Sequence, residues 1–273
     1  MLEGENMKQK IVVLSFTLLT CVGFFAGPAF AGTYMVYDEW GGTWYDSDIT
    51  SNSSMAWAAS ASNALAWTGW GFPPGESFTN EDDIFEYFRD HWTERAGNVE
   101  SAWQWMFDGT EPSSGSQVYQ PGGSFWQDYF NFDDYYYDWK FWDTFNGSGS
   151  LPAIDSFLHS GYGVAIQIYN GPSVCVLNVW GYETNDQGDY IGLFITDPTD
   201  GTDTLDYVSI TTGAAGLWFI EDFQNSTGWD LWIGEVYGLD LDPPIPTPEP
   251  ATMLLLGSGL LGLAGIRRKL RKS

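Results

Sequence analysis

Basic residues are nearly missing from the middle of this 273-residue chain. Of its ten Lys and Arg, only Arg89, Arg95 and Lys140 fall between Gly32 and Leu241, against 36 Asp and Glu in the whole sequence. The formal net charge is −26. That balance excludes nucleic acid as a partner, because phosphate backbones need a basic surface. It also repels an anionic membrane face and favours a solvated, cation-rich exterior. Histidine is scarce too, with only His91 and His159. Long apolar runs are confined to the two ends, and there is no internal repeat.

Those ends read as targeting segments. Met7 is followed by Lys8, Lys10 and an apolar run from Ile11 to Phe25. Ala29-Phe30-Ala31 before Gly32 has the small-x-small form of a signal-peptidase site, which predicts a signal peptide over 1–31 cut between Ala31 and Gly32. A permanent anchor fits less well, because the run is short and ends in Gly27-Pro28. At the other end, Pro248-Glu249-Pro250 precedes sixteen residues from Ala251 to Ile266, then Arg267-Arg268-Lys269-Leu270-Arg271-Lys272. That span falls short of the ~20 residues that cross a bilayer comfortably, and its basic tail would stay cytoplasmic. The order Pro-Glu-Pro, short span and Arg-rich end resembles the PEP-CTERM sorting signal over 248–273. The resemblance implies processing by an exosortase, transient inner-membrane anchoring through this segment, and a Gram-negative exporter that often makes exopolysaccharide. The expected site is the cell envelope or extracellular surface. A Pro-rich spacer, 242–247, separates the signal from one body over 32–241, a size that suits a single domain.

Cysteine is as rare as histidine. Once Cys21 leaves with the leader, Cys175 is alone and no intrachain disulfide can form. Stability must therefore come from packing, for which 15 Trp, 15 Tyr and 18 Phe supply material.

Within the body, Gly32 to Asp48 is a Gly- and aromatic-rich lead-in. Ser53 or Ser54 can cap a helix running to about Trp67, which Gly69 and Gly71 stop. Helical periodicity returns over Asn80–Trp92, capped by Asn80, over Asn98–Phe107, and over Leu151–Gly161 with Pro152 in its first turn. The period then changes. "YGVAIQIY", "SVCVLNVWGYE", "YIGLFITD", "TLDYVSI" and "GLWFIE" are short β-rich runs between turn residues. Helices first and an antiparallel sheet after is an α+β arrangement.

Ala56, Ser60, Asn63 and Trp67 share one face of the first long helix, whose small residues would let it press closely on a sheet. A thiol at its start would meet the positive end of the helix dipole and be activated as a nucleophile. The chain offers Met55 and Ala56 there instead. "TWYDSDIT", "AWAASASNALAWTGWG", "CVLNVWGYE" and "FITDPTDG" resemble, in order and approximate spacing, four motifs of the IdeS (Mac)-type papain-like cysteine endopeptidases. The resemblance implies a papain-like cysteine peptidase fold, an N-terminal helical part packed on an antiparallel β-sheet. It also implies lost chemistry. Ala56 stands where the family's nucleophilic Cys starts "CWAA", and Cys175 where its general-base His opens "HAxTxWG". Ile49 is the nearest counterpart of the oxyanion-stabilising Lys. The orienting acid is kept as Asp197, while its acidic companion is Thr199.

Removing triad members leaves only the residual rate of binding and the oxyanion hole, so the expectation is a pseudo-peptidase binding peptide or exopolysaccharide through the former cleft, with no cofactor. The alternative is an active cysteine endopeptidase or other hydrolase with rearranged residues, Cys175 attacking and His91 or His159 as base. Two weaker signals remain. Tyr129–Asp143 sets aromatics beside acids, as carbohydrate-binding surfaces do, although such residues are core by default. "TNDQGDY" and "DPTDGTDTLD" offer oxygen ligands without EF-hand spacing and read more simply as hairpin turns, so no metal is expected.

Overall fold

The computed structural model describes residues 31–49, 54–93, 97–110, 118, 120–128, 147–170, 173–213, 216–221, 223 and 231–241. The leader to residue 30, the aromatic stretch 129–143, the spacer and the sorting segment lie outside the described residues. No helix among the described residues is long and apolar enough to cross a membrane.

The lead-in folds into β1 (Gly32–Met35) and a short α1 (Val36–Trp40), neither of which its composition announced. The principal helix, α2, spans Ala56–Thr68 and ends at Gly69 in the left-handed conformation (φ 80°). The expected Ser53 or Ser54 cap is corrected here. The N-cap is Met55, which supplies no side-chain cap, and the first turn closes on its carbonyl oxygen through Ala58 N–H (2.9 Å) and Ala59 N–H (3.1 Å). α3 (Glu81–His91) starts as expected at Asn80, whose side chain accepts from Asp83 N–H, and three acids fill its first turn. α4 (Val99–Asp108) is capped by Asn98 in the same way, and α5 is Ser150–His159.

The strands are β2 (Gly163–Asn170), β3 (Ser173–Thr184), β4 (Tyr190–Thr196), β5 (Asp206–Thr212), β6 (Trp218–Ile220) and β7 (Trp232–Leu239). All pairings are antiparallel, in the order β1-β3-β2-β7-β6-β5-β4, and β4 returns to pair with β3. Every described strand except β1 therefore joins a closed ring. Helices then antiparallel sheet is the α+β class expected from the order of periodicities.

Strand alternation divides the core in two. Val164, Ile166 and Ile168 face Val179, Leu177 and Cys175 across the β2–β3 ladder, and these pack inward with Leu193, Ile195, Val208, Ile210, Ile220 and Ile233. Phe157 and Leu158 of α5 join this inner core. Ala165 and Val176 face outward and belong to a second core built on α2, α3 and α4, with Trp57, Trp92, Trp103 and Trp105 inside it. α2 lies close on the ring wall because both surfaces are small. A Cβ at Gly163 would stand 3.0 Å from the Cα, Cβ and carbonyl oxygen of Ala64.

Candidate functional site

The predicted face of α2 is the one that meets the ring. Ser60 Oγ donates to Val176 O (3.0 Å), Asn63 Nδ2 to Asn178 Oδ1 (3.0 Å), and Trp67 Nε1 to Gly161 O (2.9 Å). Asn178 Nδ2 donates back to Ser60 O at 3.0 Å. These bonds orient the helix along the wall: its C-terminal end points to the start of β2, and its N-terminal end to the start of β3, where Cys175 lies.

Segment 43–49 crosses this same end of the ring. Ser47 N–H donates to Asn63 Oδ1 (2.9 Å) and Ser47 Oγ to Asp82 Oδ1 (3.0 Å). Thr196 Oγ1 donates to Tyr45 O (3.1 Å), and Ile49 N–H to Pro198 O (2.8 Å). Ile49, the expected counterpart of an oxyanion-stabilising Lys, is buried among apolar side chains of the outer core and is joined through backbone to the residue after Asp197. It carries no group that could stabilise an oxyanion.

Asp197 is 2% exposed, and its Oδ1 accepts from Thr199 N–H (2.9 Å) and Thr199 Oγ1 (2.7 Å), so it pins the turn that follows β4. Cys175 is half-buried, paired with Ile168 and turned toward the inner core. Burial, and then the negative charge of Asp197, push its thiol up to about 12. A thiol in that setting is a poor nucleophile at neutral pH. Ala56 begins α2, partly buried against the outer core. The four positions thus gather at one end of the ring, but Ala56 belongs to the outer side of its wall and Cys175 to the inner side.

The histidines are elsewhere. His91 Nδ1 lies 2.8 Å from Tyr87 O, and its ring packs on Tyr87 and Trp105 in the helical layer. His159 is at the end of α5, paired with Asp155 (2.9 Å) and stacked on Tyr34 at 4.1 Å. Asp155 also accepts from Tyr182 Oη (2.6 Å) and Tyr190 Oη (2.7 Å), which sets this cluster at the opposite end of the ring from Cys175.

Two features here escape sequence reasoning. On the outward face of β2, beyond the start of α2, Gln167, Tyr169, Glu235 and Tyr237 are hydrogen-bonded together, with Tyr169 Oη donating to Glu235 Oε1 (2.9 Å) and Trp232 stacked on Tyr169 at 4.9 Å. Exposed Val174 lies across the ladder from Tyr169. The second feature is Asp46, 4% exposed, with neither carboxylate oxygen hydrogen-bonded. Burial first, then the charges of Asp48, Asp200, Asp203 and Asp197, raise its carboxyl to about 8.

Comparison with known families identifies the C-terminal segment. The model described as the PEP-CTERM protein-sorting motif matches residues 246–269. The chain carries an exosortase sorting signal. It is an exported protein, anchored at the membrane before an exosortase processes it. The matched span contains Pro248, Glu249 and Pro250 and the basic residues through Lys269. A search of curated proteins gives no match.

Proposed function

We propose that the body of this exosortase-sorted protein is a papain-like, IdeS-type scaffold that has lost its peptidase chemistry and binds a peptide or exopolysaccharide strand. The binding surface would be the end of the ring beside the start of α2. The observation that carries this reading is the chemistry at the two seats of catalysis: a methyl at Ala56 and, at Cys175, a thiol whose ionisation is pushed to about 12. The methyl cannot attack a carbonyl, and the thiol is a poor nucleophile at neutral pH and no general base. Support for a ligand comes from the same end of the ring. Trp232, Tyr169 and Val174 offer flat and apolar surface beside Glu235 and Gln167, the mixture that extended polar chains use.

Reinstating the missing nucleophile tests the reading. The variant Ala56→Cys, which sets a thiol at the positive end of the α2 dipole, is expected to gain reactivity toward iodoacetamide near neutral pH, while the unaltered chain turns over neither casein nor a peptide library. No gain would remove the peptidase-derived assignment. Turnover by the unaltered chain that disappears in Cys175→Ser would replace it with an active hydrolase.

A further inference from the structure

The helical layer covers β3 as far as Val176, which is buried in the outer core. Val174, two residues away on the same face, is 51% exposed. Past that limit the outward face continues through Tyr169 of β2 and Trp232 of β7, each the direct neighbour of the last across its ladder. The Tyr169 and Trp232 rings stack with centroids 4.9 Å apart and planes 20° apart. Gly234 makes room for both, since a Cβ there would stand 2.3 Å from Tyr169 and 3.0 Å from Trp232. Glu235 borders the stack. Its Oε1 accepts from Tyr169 Oη (2.9 Å) and its Oε2 from Tyr237 Oη, and a carboxylate has more lone-pair positions than two hydroxyl donors use. No protein cation meets it. Arg89 is the sole Lys or Arg among the described residues and is paired with Glu86, while the other ion pair there is His159–Asp155.

We propose that the Tyr169–Trp232 stack, with Val174 and Glu235, binds a polysaccharide that carries free amino groups, a chain of glucosamine type. This rests on the binding half of the reading above and names its ligand class. Pyranose rings lay their C–H faces on flat aromatic surface while their polar groups reach adjacent carboxylates. A protonated amine is drawn both to the faces of Trp and Tyr and to a carboxylate that has no counter-ion. The net charge of −26 turns away an anionic glycan and attracts a cationic one. A peptide strand fits this place less well. Extended peptides gain affinity by adding to a sheet edge, and both rings sit on strands paired on either side: Tyr169 has Val174 and Trp232 as neighbours, and Trp232 has Tyr169 and Phe219.

Titration calorimetry on the full chain in detergent micelles tests it, with a glucosamine hexamer and its N-acetylated counterpart as probes, in mildly acidic buffer that protonates the amines. The free-amine hexamer should bind about tenfold more tightly than the N-acetylated one. Trp232→Ala and Glu235→Gln should each weaken it about tenfold, Trp232→Phe should keep most of the affinity, and Tyr207→Ala, an exposed aromatic of β5 elsewhere on the ring, should change nothing. Equal or tighter binding of the N-acetylated hexamer would overturn the amino-sugar assignment and leave the broader reading standing. Affinity unchanged in both Trp232→Ala and Glu235→Gln would overturn the site. Binding of neither hexamer would overturn the proposal outright. A peptide library that then binds keeps the broader reading, and one that does not removes its binding half as well.

Discussion

Asn63 of α2 and Asn178 of β3 meet side chain to side chain at 3.0 Å, with almost no exposure of either. Every polar atom of this pair has work at the boundary between helix and ring. Asn63 Oδ1 accepts from Ser47 N–H, while Asn178 Nδ2 donates to Ser60 O and, at 3.4 Å, to Val164 O. One contact thus links α2, β2, β3 and the 43–49 segment.

Asn63→Ala should therefore destabilise the fold by about 2–3 kcal/mol, because it strands a buried acceptor on Asn178 and a buried donor at Ser47. Urea unfolding followed by tryptophan fluorescence measures this. A loss below about 0.5 kcal/mol, the range of an ordinary surface change, would show that the bond does not hold the two layers together.

Cys175 supplies a pH-dependent test. Burial and the charge of Asp197 both disfavour the thiolate, so ionisation is displaced upward, to about 12. Iodoacetamide reacts with the thiolate, so native labelling near pH 8 should run at least about a hundredfold slower than in denaturant and rise only in strong alkali. Asp197→Asn removes the nearby negative charge, lowers the thiol's ionisation point and should speed native labelling. Equal rates in the native and denatured chain would contradict the burial described for this residue.

Gly163→Ala tests the close approach of α2 to the ring. The new methyl would sit 3.0 Å from Ala64 backbone atoms, which can yield only by moving the helix. The expected cost is roughly 1–3 kcal/mol, the usual price of overpacking, read as a lower urea midpoint. An unchanged midpoint would mean that helix and wall are looser than their spacing indicates.

Local chemistry made the helices and most strands legible. Asn80 announces α3, Gly69 and Gly161 stop α2 and α5 with positive φ, and alternation in "YGVAIQIY" and "YIGLFIT" marks β2 and β4. β7 was missed because Gly234 and Gly238 interrupt its pattern. Both are demanded by neighbours distant in sequence, since a Cβ would strike Tyr169 at one and Phe157 at the other. β1 and α1 were hidden for a related reason: β1 is defined only by its ladder to Gly181–Thr184.

At the candidate site, sequence motifs picked out four positions that the fold gathers at one end of the ring, but no periodicity could tell which side of the wall each occupies. Alternation counted from Asn178 answers that, and Asn178 is oriented by its bonds to α2. Asp46 looked like one acid among many. Its burial arises from segments that meet only in three dimensions, the loop after β4 and the first turn of α3.

The return of β4 to β3 has a consequence for an exported protein that is anchored at a membrane before processing. An open sheet presents a row of unsatisfied backbone groups to every neighbour, and copies concentrated by a shared sorting route would meet often. A hoop of staves has no such margin. Among the described strands only β1, four residues long, is left with a single partner, so crowding gives these strands little means of zipping together.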